Sequence, residues 1–149
     1  MTAEARQDRE EIEQLLYRYA WMVDRRDWKL MDEVFAEGGS VDYTSTGGQR
    51  GPYRETLRWL ARALEPWPAN LHFITNLRVE IHGDRANSRC YFLAPMARFL
   101  ADGSQEVVTT AGLYLDELVR TPAGWRIAKR DCQQSVTLGQ LPAGYTIPR

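Results

Sequence analysis

The stretch Ile12-Glu13-Gln14-Leu15-Leu16-Tyr17-Arg18-Tyr19-Ala20-Trp21-Met22-Val23-Asp24 returns to an apolar residue every three or four positions, at Ile12, Leu15, Leu16, Tyr19, Ala20 and Val23. That spacing predicts an amphipathic helix from Asp8 to Asp24 with one face committed to a core. Beyond Pro66-Trp67-Pro68 the period changes. Leu71 to Ile81, Ala86 to Leu100, Val107 to Arg120 and Trp125 to Leu138 read as extended segments, separated by Gly83-Asp84, Asp102-Gly103 and Pro122-Ala123-Gly124. Those separators are hairpin-turn chemistry and predict an antiparallel meander. Helices first and strands afterwards predict an α+β domain with three N-terminal helices on one face of the sheet.

The charged break Arg25-Arg26-Asp27 leads into Trp28, Met31, Val34 and Phe35. These predict a second helix with Asp27 as N-cap and Gly38-Gly39 as its stop. Ser40 to Thr44 reads as a short strand. Gly51-Pro52 opens a third helix, with apolar positions at Tyr53, Leu57, Leu60, Ala61 and Leu64, and Pro66 ends it. Gln140 to Arg149, with Pro142 and Pro148, is expected to be an extended tail. A chain of 149 residues fits a single domain, 1–149, able to bury a core without metal or disulfide staples.

Composition excludes several functions. Nineteen Lys and Arg against twenty Asp and Glu give a net charge of −1, so no field draws the chain to nucleic acid or to an anionic membrane. No stretch approaches the ~18 apolar residues of a membrane span, and the polar start Met1 to Glu11 lacks the core of a secretory signal. The expected location is the cytoplasm. Cys90 and Cys132 belong to no metal-spaced motif and are expected to be reduced, buried thiols; a disulfide would need their strands to be neighbours. Neither a metal nor a flavin or nucleotide cofactor is expected, because His82 lies near a turn and out of register with His72, and the Gly47-Gly48 pair follows no phosphate-loop pattern.

Positions four apart stack along a helix, so Asp24 continues the apolar line of Leu16 and Ala20. A carboxylate there loses water and calls for a partner. The chain has two histidines, and His72 stands in an alternating strand, where with Asp24 it would form a proton-transfer pair. His72, Asn76 and Arg78 share a parity opposite to Leu71, Phe73, Leu77 and Val79, and the polar-looking face places His72, Asn76 and Ile74 along a cavity. Two plainer readings stand beside this one: Asp24 ends its helix and pairs with Arg25 or Arg26, and His72 is a hydrogen-bonded core residue. Tyr43, Trp28, Trp59 and Trp67 read by default as core aromatics, while Arg120 and Arg130 read as outer-strand surface charges, with a cation supplied to the site as the rival reading.

Leu16-Tyr17-Arg18-Tyr19-Ala20, Val23-Asp24-Arg25-Arg26-Asp27-Trp28, Val41-Asp42-Tyr43, Leu71-His72-Phe73-Ile74-Thr75-Asn76, His82-Gly83-Asp84-Arg85-Ala86 and Glu117-Leu118-Val119-Arg120 leading to Gly124-Trp125-Arg126-Ile127 recur in one order. From about Glu10 to Ser135 the chain resembles the SnoaL-like, scytalone-dehydratase-like branch of the nuclear transport factor 2-like superfamily. The resemblance implies a cone-shaped α+β barrel whose curved antiparallel sheet encloses an apolar pocket, and homodimers or higher homo-oligomers through the sheet. It implies catalytic roles for Asp24, His72 and Tyr43 in a cofactor-free lyase or isomerase for a small hydrophobic, ring-containing molecule; beside it, the reading of the residues adds Tyr19, Trp28, Ile74 and Asn76 as candidate substrate-binding residues. Val23 stands where the dehydratase has a tyrosine, and Ala111, Gly112 or Leu113 where it has a second pocket histidine, which points to a substrate other than scytalone. Relatives of the same superfamily imply two rival readings: a non-catalytic ligand- or partner-binding subunit like the small subunit of ring-hydroxylating dioxygenases, and a polyketide cyclase or epoxide hydrolase.

Overall fold

The computed structural model describes residues 1–149. Helix α1 spans Ala3–Asp24; the Thr2 hydroxyl caps it by accepting from the Ala5 N–H at 3.1 Å. It buries Ile12, Leu15, Leu16, Tyr19, Met22 and Val23, the stripe its period demands. A 3-10 turn at Trp28–Leu30 and a single-turn α2 at Met31–Val34 follow, then strand β1 at Phe35–Asp42. The second helix is thus shorter than expected. Phe35 belongs to β1, and Asp27 makes no side-chain capping bond.

Gly38-Gly39 does not stop a helix but bulges β1. Between the pairs Phe35–Ile127 and Ser40–Lys129, four residues of β1 lie opposite the single residue Ala128. Gly38 takes φ +74°, and a Cβ on Gly39 would lie 2.8 Å from the Ala36 carbonyl oxygen, so each step of the bulge favours glycine. Strand β2 (Arg50–Pro52) leads into α3 (Tyr53–Leu64), and β3 (Ala69–Asn70), β4 (Phe73–His82), β5 (Arg85–Phe99), β6 (Gln105–Thr121) and β7 (Gly124–Leu138) complete the chain.

The strands form one open, mixed sheet in the order β2-β1-β7-β6-β5-β3, with β4 beside β3 on the same edge of β5. The meander from β4 to β7 is antiparallel as expected, but β1 runs parallel to β7. The helices cover the inner face, where Ala86, Cys90, Phe92, Tyr114, Leu118, Ile127 and Cys132 point into the core. Cys90 and Cys132 both face Tyr114 from opposite sides of β6, so a strand separates them and they are free thiols. Burial pushes them up to about 11 and about 12. No helix is long and apolar enough to cross a membrane.

Asp8 fastens α1 to the far end of the sheet. Its carboxylate accepts from both terminal nitrogens of Arg120, at 2.7 and 2.8 Å, and from Trp125 Nε1 at 3.0 Å. The bidentate Arg120 bond holds the Asp8 carboxyl below its usual range against the opposing effect of burial. A carboxyl depressed in the folded state contributes stability above its unfolded value of about 3.9, and that contribution is lost as pH falls through the folded value. Urea midpoints of the parent and an Asp8→Asn variant are therefore expected to differ at pH 6 and to draw together as pH falls from about 3.9 through the lower folded value.

Candidate active site

Asp24 is the last residue of α1. The helix dipole places negative potential there, so a carboxylate at this point needs donors. It has three: His72 Nδ1 lies 2.7 Å from Oδ1, Asn70 Nδ2 donates to the same oxygen at 2.9 Å, and the His72 backbone N–H donates to Oδ2 at 2.9 Å. Because a carboxylate oxygen only accepts, the neutral imidazole carries its proton on Nδ1 and presents the Nε2 lone pair. No protein group hydrogen-bonds Nε2.

His72 opens onto a cavity of about 200 Å³, with 16 of its 21 lining residues hydrophobic. That volume is below the roughly 300–1,000 Å³ of pockets for drug-sized ligands, so the occupant is small. Tyr19, Tyr43 and Tyr114 form one wall. The Tyr19 and Tyr43 hydroxyls share a short hydrogen bond, the Tyr19 and Tyr114 rings meet edge-on at 5.6 Å, and Tyr19 meets the His72 ring at 6.3 Å. Burial holds the Tyr43 and Tyr114 phenols well above their ordinary value, and Tyr19 above it to a lesser degree. All three are therefore donors rather than bases at neutral pH.

Behind this wall lies a buried ion pair. Arg130 donates from Nε and Nη2 to the two carboxylate oxygens of Asp116, at 2.8 and 2.7 Å, with both side chains fully buried. Its guanidinium carbon lies 4.2 Å from the Tyr19 ring centre and 4.1 Å from that of Tyr114, a cation–π arrangement on two faces. Burial disfavours the charge, yet the Asp116 carboxylate outweighs it and Arg130 is held well above its usual value. Nη1 has no partner.

Arg130 is thus no surface charge. The register of β6 with β7 slips at Ala128: Leu118 faces Ile127 while Glu117 faces Lys129. This bulge moves the inward parity from Trp125 and Ile127 to Arg130 and Cys132. A bulge of the same kind corrects β4. Thr75 faces Tyr91 and Arg78 faces Arg89, leaving one extra residue, and Asn76 takes φ +56°. Phe73 therefore points out while Leu77 and Val79 turn in, and Asn76 is exposed. Ile74 packs on the core beside Leu16 and Tyr17 with Asn76, away from the tyrosine-lined cavity. Trp28 also packs on the core rather than lining that cavity.

Of the seven expected site residues, Asp24, His72, Tyr19 and Tyr43 come together and Trp28, Ile74 and Asn76 do not. Asn70 and Tyr114 join the site without any sequence expectation, and of the two candidate cations it is Arg130 that stands behind the tyrosine wall. The parity shared by Arg130 and Cys132 was the one sequence signal for the arginine. The tail, 140–149, has no regular structure but adds a wall: Leu141, Tyr145 and Ile147 line the cavity, the Tyr145 hydroxyl donates to the Ala63 carbonyl at 3.1 Å, and Trp59 Nε1 donates to the Pro148 carbonyl at 2.7 Å.

The chain is similar to the uncharacterized protein Rv2910c of Mycobacterium tuberculosis, with 38% identity over 123 residues, 83% of this chain and 82% of that protein. Kfla4162 of Kribbella flavida has a similar structure, with TM-score 0.80 and 28% identity over 90% of this chain and 95% of its own. The hexachlorocyclohexane dehydrochlorinase LinA-type3 of Novosphingobium barchaimii LL02 aligns with TM-score 0.72 over 94% of each chain; at 20% identity this is a likeness of fold. The profile of the SnoaL-like domain matches residues 4–131, which hold Asp24, His72, the tyrosine wall and the buried ion pair, and the chain belongs to that family.

Proposed function

We propose that the protein is a cofactor-independent lyase or isomerase that removes a proton from a small, largely hydrophobic, ring-containing substrate. The observation that carries this reading is a histidine held on one ring nitrogen by a carboxylate and presenting the other to an apolar cavity. The dehydrochlorinase activity named for one structural neighbour is of the same kind. His72 Nε2 takes a proton from carbon next to a carbonyl, Asp24 steadies the imidazolium, and the Tyr43 hydroxyl donates to the developing enolate oxygen. In an elimination the released electron pair becomes the new C=C bond as the bond to the β-leaving group breaks. In an isomerisation the proton returns to another carbon.

Both begin with the same step, so the first test is exchange of the α-protons of 2-tetralone in D₂O, followed by NMR. Catalysed exchange supports the reading. Background exchange, with the protein instead captured as a stoichiometric complex by a larger subunit, would favour the binding-subunit reading.

We also propose that the protein self-associates through its sheet. Phe73, Leu93, Ala111 and Val136 are cross-strand neighbours on the outer face, and Phe73, Leu93 and Val136 are 49%, 43% and 49% exposed. A Leu93→Glu variant is expected to sediment as a smaller species than the parent; unchanged sedimentation of a parent that is monomeric would count against it.

A further inference from the structure

Arg26 has an unusual backbone and an unusual number of bonds. It follows α1 in the left-handed region, φ +58°. Its N–H donates to the Val23 carbonyl while the next residue, Asp27, donates to the Met22 carbonyl, at 3.2 and 2.9 Å. This is the helix ending that normally takes glycine, and a side chain there costs roughly 1 kcal/mol. Arg26 spends its guanidinium on four acceptors from three places. It donates to the Val23 carbonyl at 2.9 Å, the Leu64 carbonyl at 3.2 Å, the Trp67 carbonyl at 2.6 Å, and the side-chain oxygen of Asn70.

The last bond has a chemical consequence. Arginine has donors only, so the Asn70 oxygen must face it and the Asn70 amide NH₂ must face away. That NH₂ donates to Asp24 Oδ1, the oxygen that also meets His72 Nδ1. Asn70 is 6% exposed, so water does not replace either bond cheaply. We infer that Asn70, locked in one amide orientation by Arg26, is the positioning residue that fixes the Asp24 carboxylate and thereby the tautomer of His72. With Oδ2 on the His72 backbone and Oδ1 on Asn70, the carboxylate cannot rotate away from Nδ1. The inference rests on His72 being the base, because only then does the free nitrogen have to be Nε2.

The test reads the tautomer directly. In ¹⁵N-labelled protein, long-range ¹H–¹⁵N spectra distinguish protonated from unprotonated ring nitrogens, and exposed His82 serves as an internal reference. The parent is expected to hold neutral His72 as the Nδ1–H form alone. Asn70→Ala is expected to mix in the Nε2–H form and to lower kcat for 2-tetralone exchange about ten- to a hundredfold, with KM little changed. Arg26→Gly removes the guanidinium while suiting the left-handed backbone, so it keeps the helix ending and should mix the tautomers in the same direction. Asn70→Asp, which offers no donor to Asp24 when ionised, is expected not to restore the parent spectrum.

A His72 that stays purely Nδ1–H in both Asn70→Ala and Arg26→Gly would overturn the inference, as would a parent that is not Nδ1–H. Mixed tautomers in variants of a parent without exchange activity would uphold the positioning role and sink the proposed reaction instead.

Discussion

A His72→Ala protein is expected to exchange the α-protons of 2-tetralone about 10²- to 10⁴-fold more slowly than the parent, with little change in KM. The size follows from what the substitution removes. It takes away the only ring nitrogen facing the cavity and leaves the apolar walls that bind the substrate. It also leaves the His72 backbone N–H, so Asp24 keeps its 2.9 Å bond on Oδ2 and its 2.9 Å bond from Asn70. The fold is therefore not asked to accommodate an orphaned carboxylate, and thermal unfolding should remain cooperative.

Asp24→Asn separates orientation from proton transfer. The asparagine amide keeps the shape and its oxygen can still accept from Nδ1–H and from Asn70, but it carries no charge to steady the imidazolium and sets its NH₂ against the His72 backbone N–H. Activity is expected to fall by a similar factor with the histidine still present. Exchange within about twofold of the parent in His72→Ala would rule out the base assignment, because general-base loss is never that small when the proton transfer limits turnover.

How much of this was legible depends on whether a local period carried it. The α1 stripe from Ile12 to Val23 has a 3.6-residue period that nothing interrupts, and the hairpins at Gly83-Asp84 and Asp102-Gly103 have turn chemistry that fixes them locally. Asp24 was legible because it continues that stripe, and the structure sets it against His72 across 48 residues of sequence.

What failed did so at bulges. A strand read as strict alternation assigns every residue a face, and one extra residue reverses all assignments beyond it. Strict alternation puts Asn76 in the cavity, and the extra residue of β4 turns it out; the bulge in β7 turns Arg130 inward, and Gly38-Gly39, which reads as a helix stop, bulges β1. The placement of Trp28 failed for a different reason: a tryptophan's apolar character says that it packs, not against which neighbour. Asn70 and the tail were silent because their roles arise from contacts with Arg26 and with Trp59, Trp67 and Ala63, which are set by tertiary packing alone.

The buried pair Asp116–Arg130 carries the largest expected effect on stability. Both side chains are fully buried, so neither charge has recourse to water, and removing one partner strands the other. Asp116→Leu or Arg130→Met alone is expected to cost about 3–5 kcal/mol of unfolding free energy. The double variant Asp116→Leu/Arg130→Met buries no charge and keeps comparable volume, so it is expected to recover most of that loss. Urea unfolding of the four proteins gives the coupling energy directly. Additive losses in the double variant would show that the pair's packing, not its charge, is what the fold requires.

The same cycle speaks to function. Arg130 lies against the faces of Tyr19 and Tyr114, and its charge offsets part of the burial that raises the phenols of Tyr19, Tyr43 and Tyr114. In the refolded double variant that cation is gone while the cavity lining remains. Tyr43 then becomes a weaker hydrogen-bond donor to a developing oxyanion, so kcat for exchange is expected to stay below the parent's even where stability is recovered. A double variant that regains both stability and full turnover would show that the ion pair serves the core alone and that the tyrosine wall needs no cation behind it.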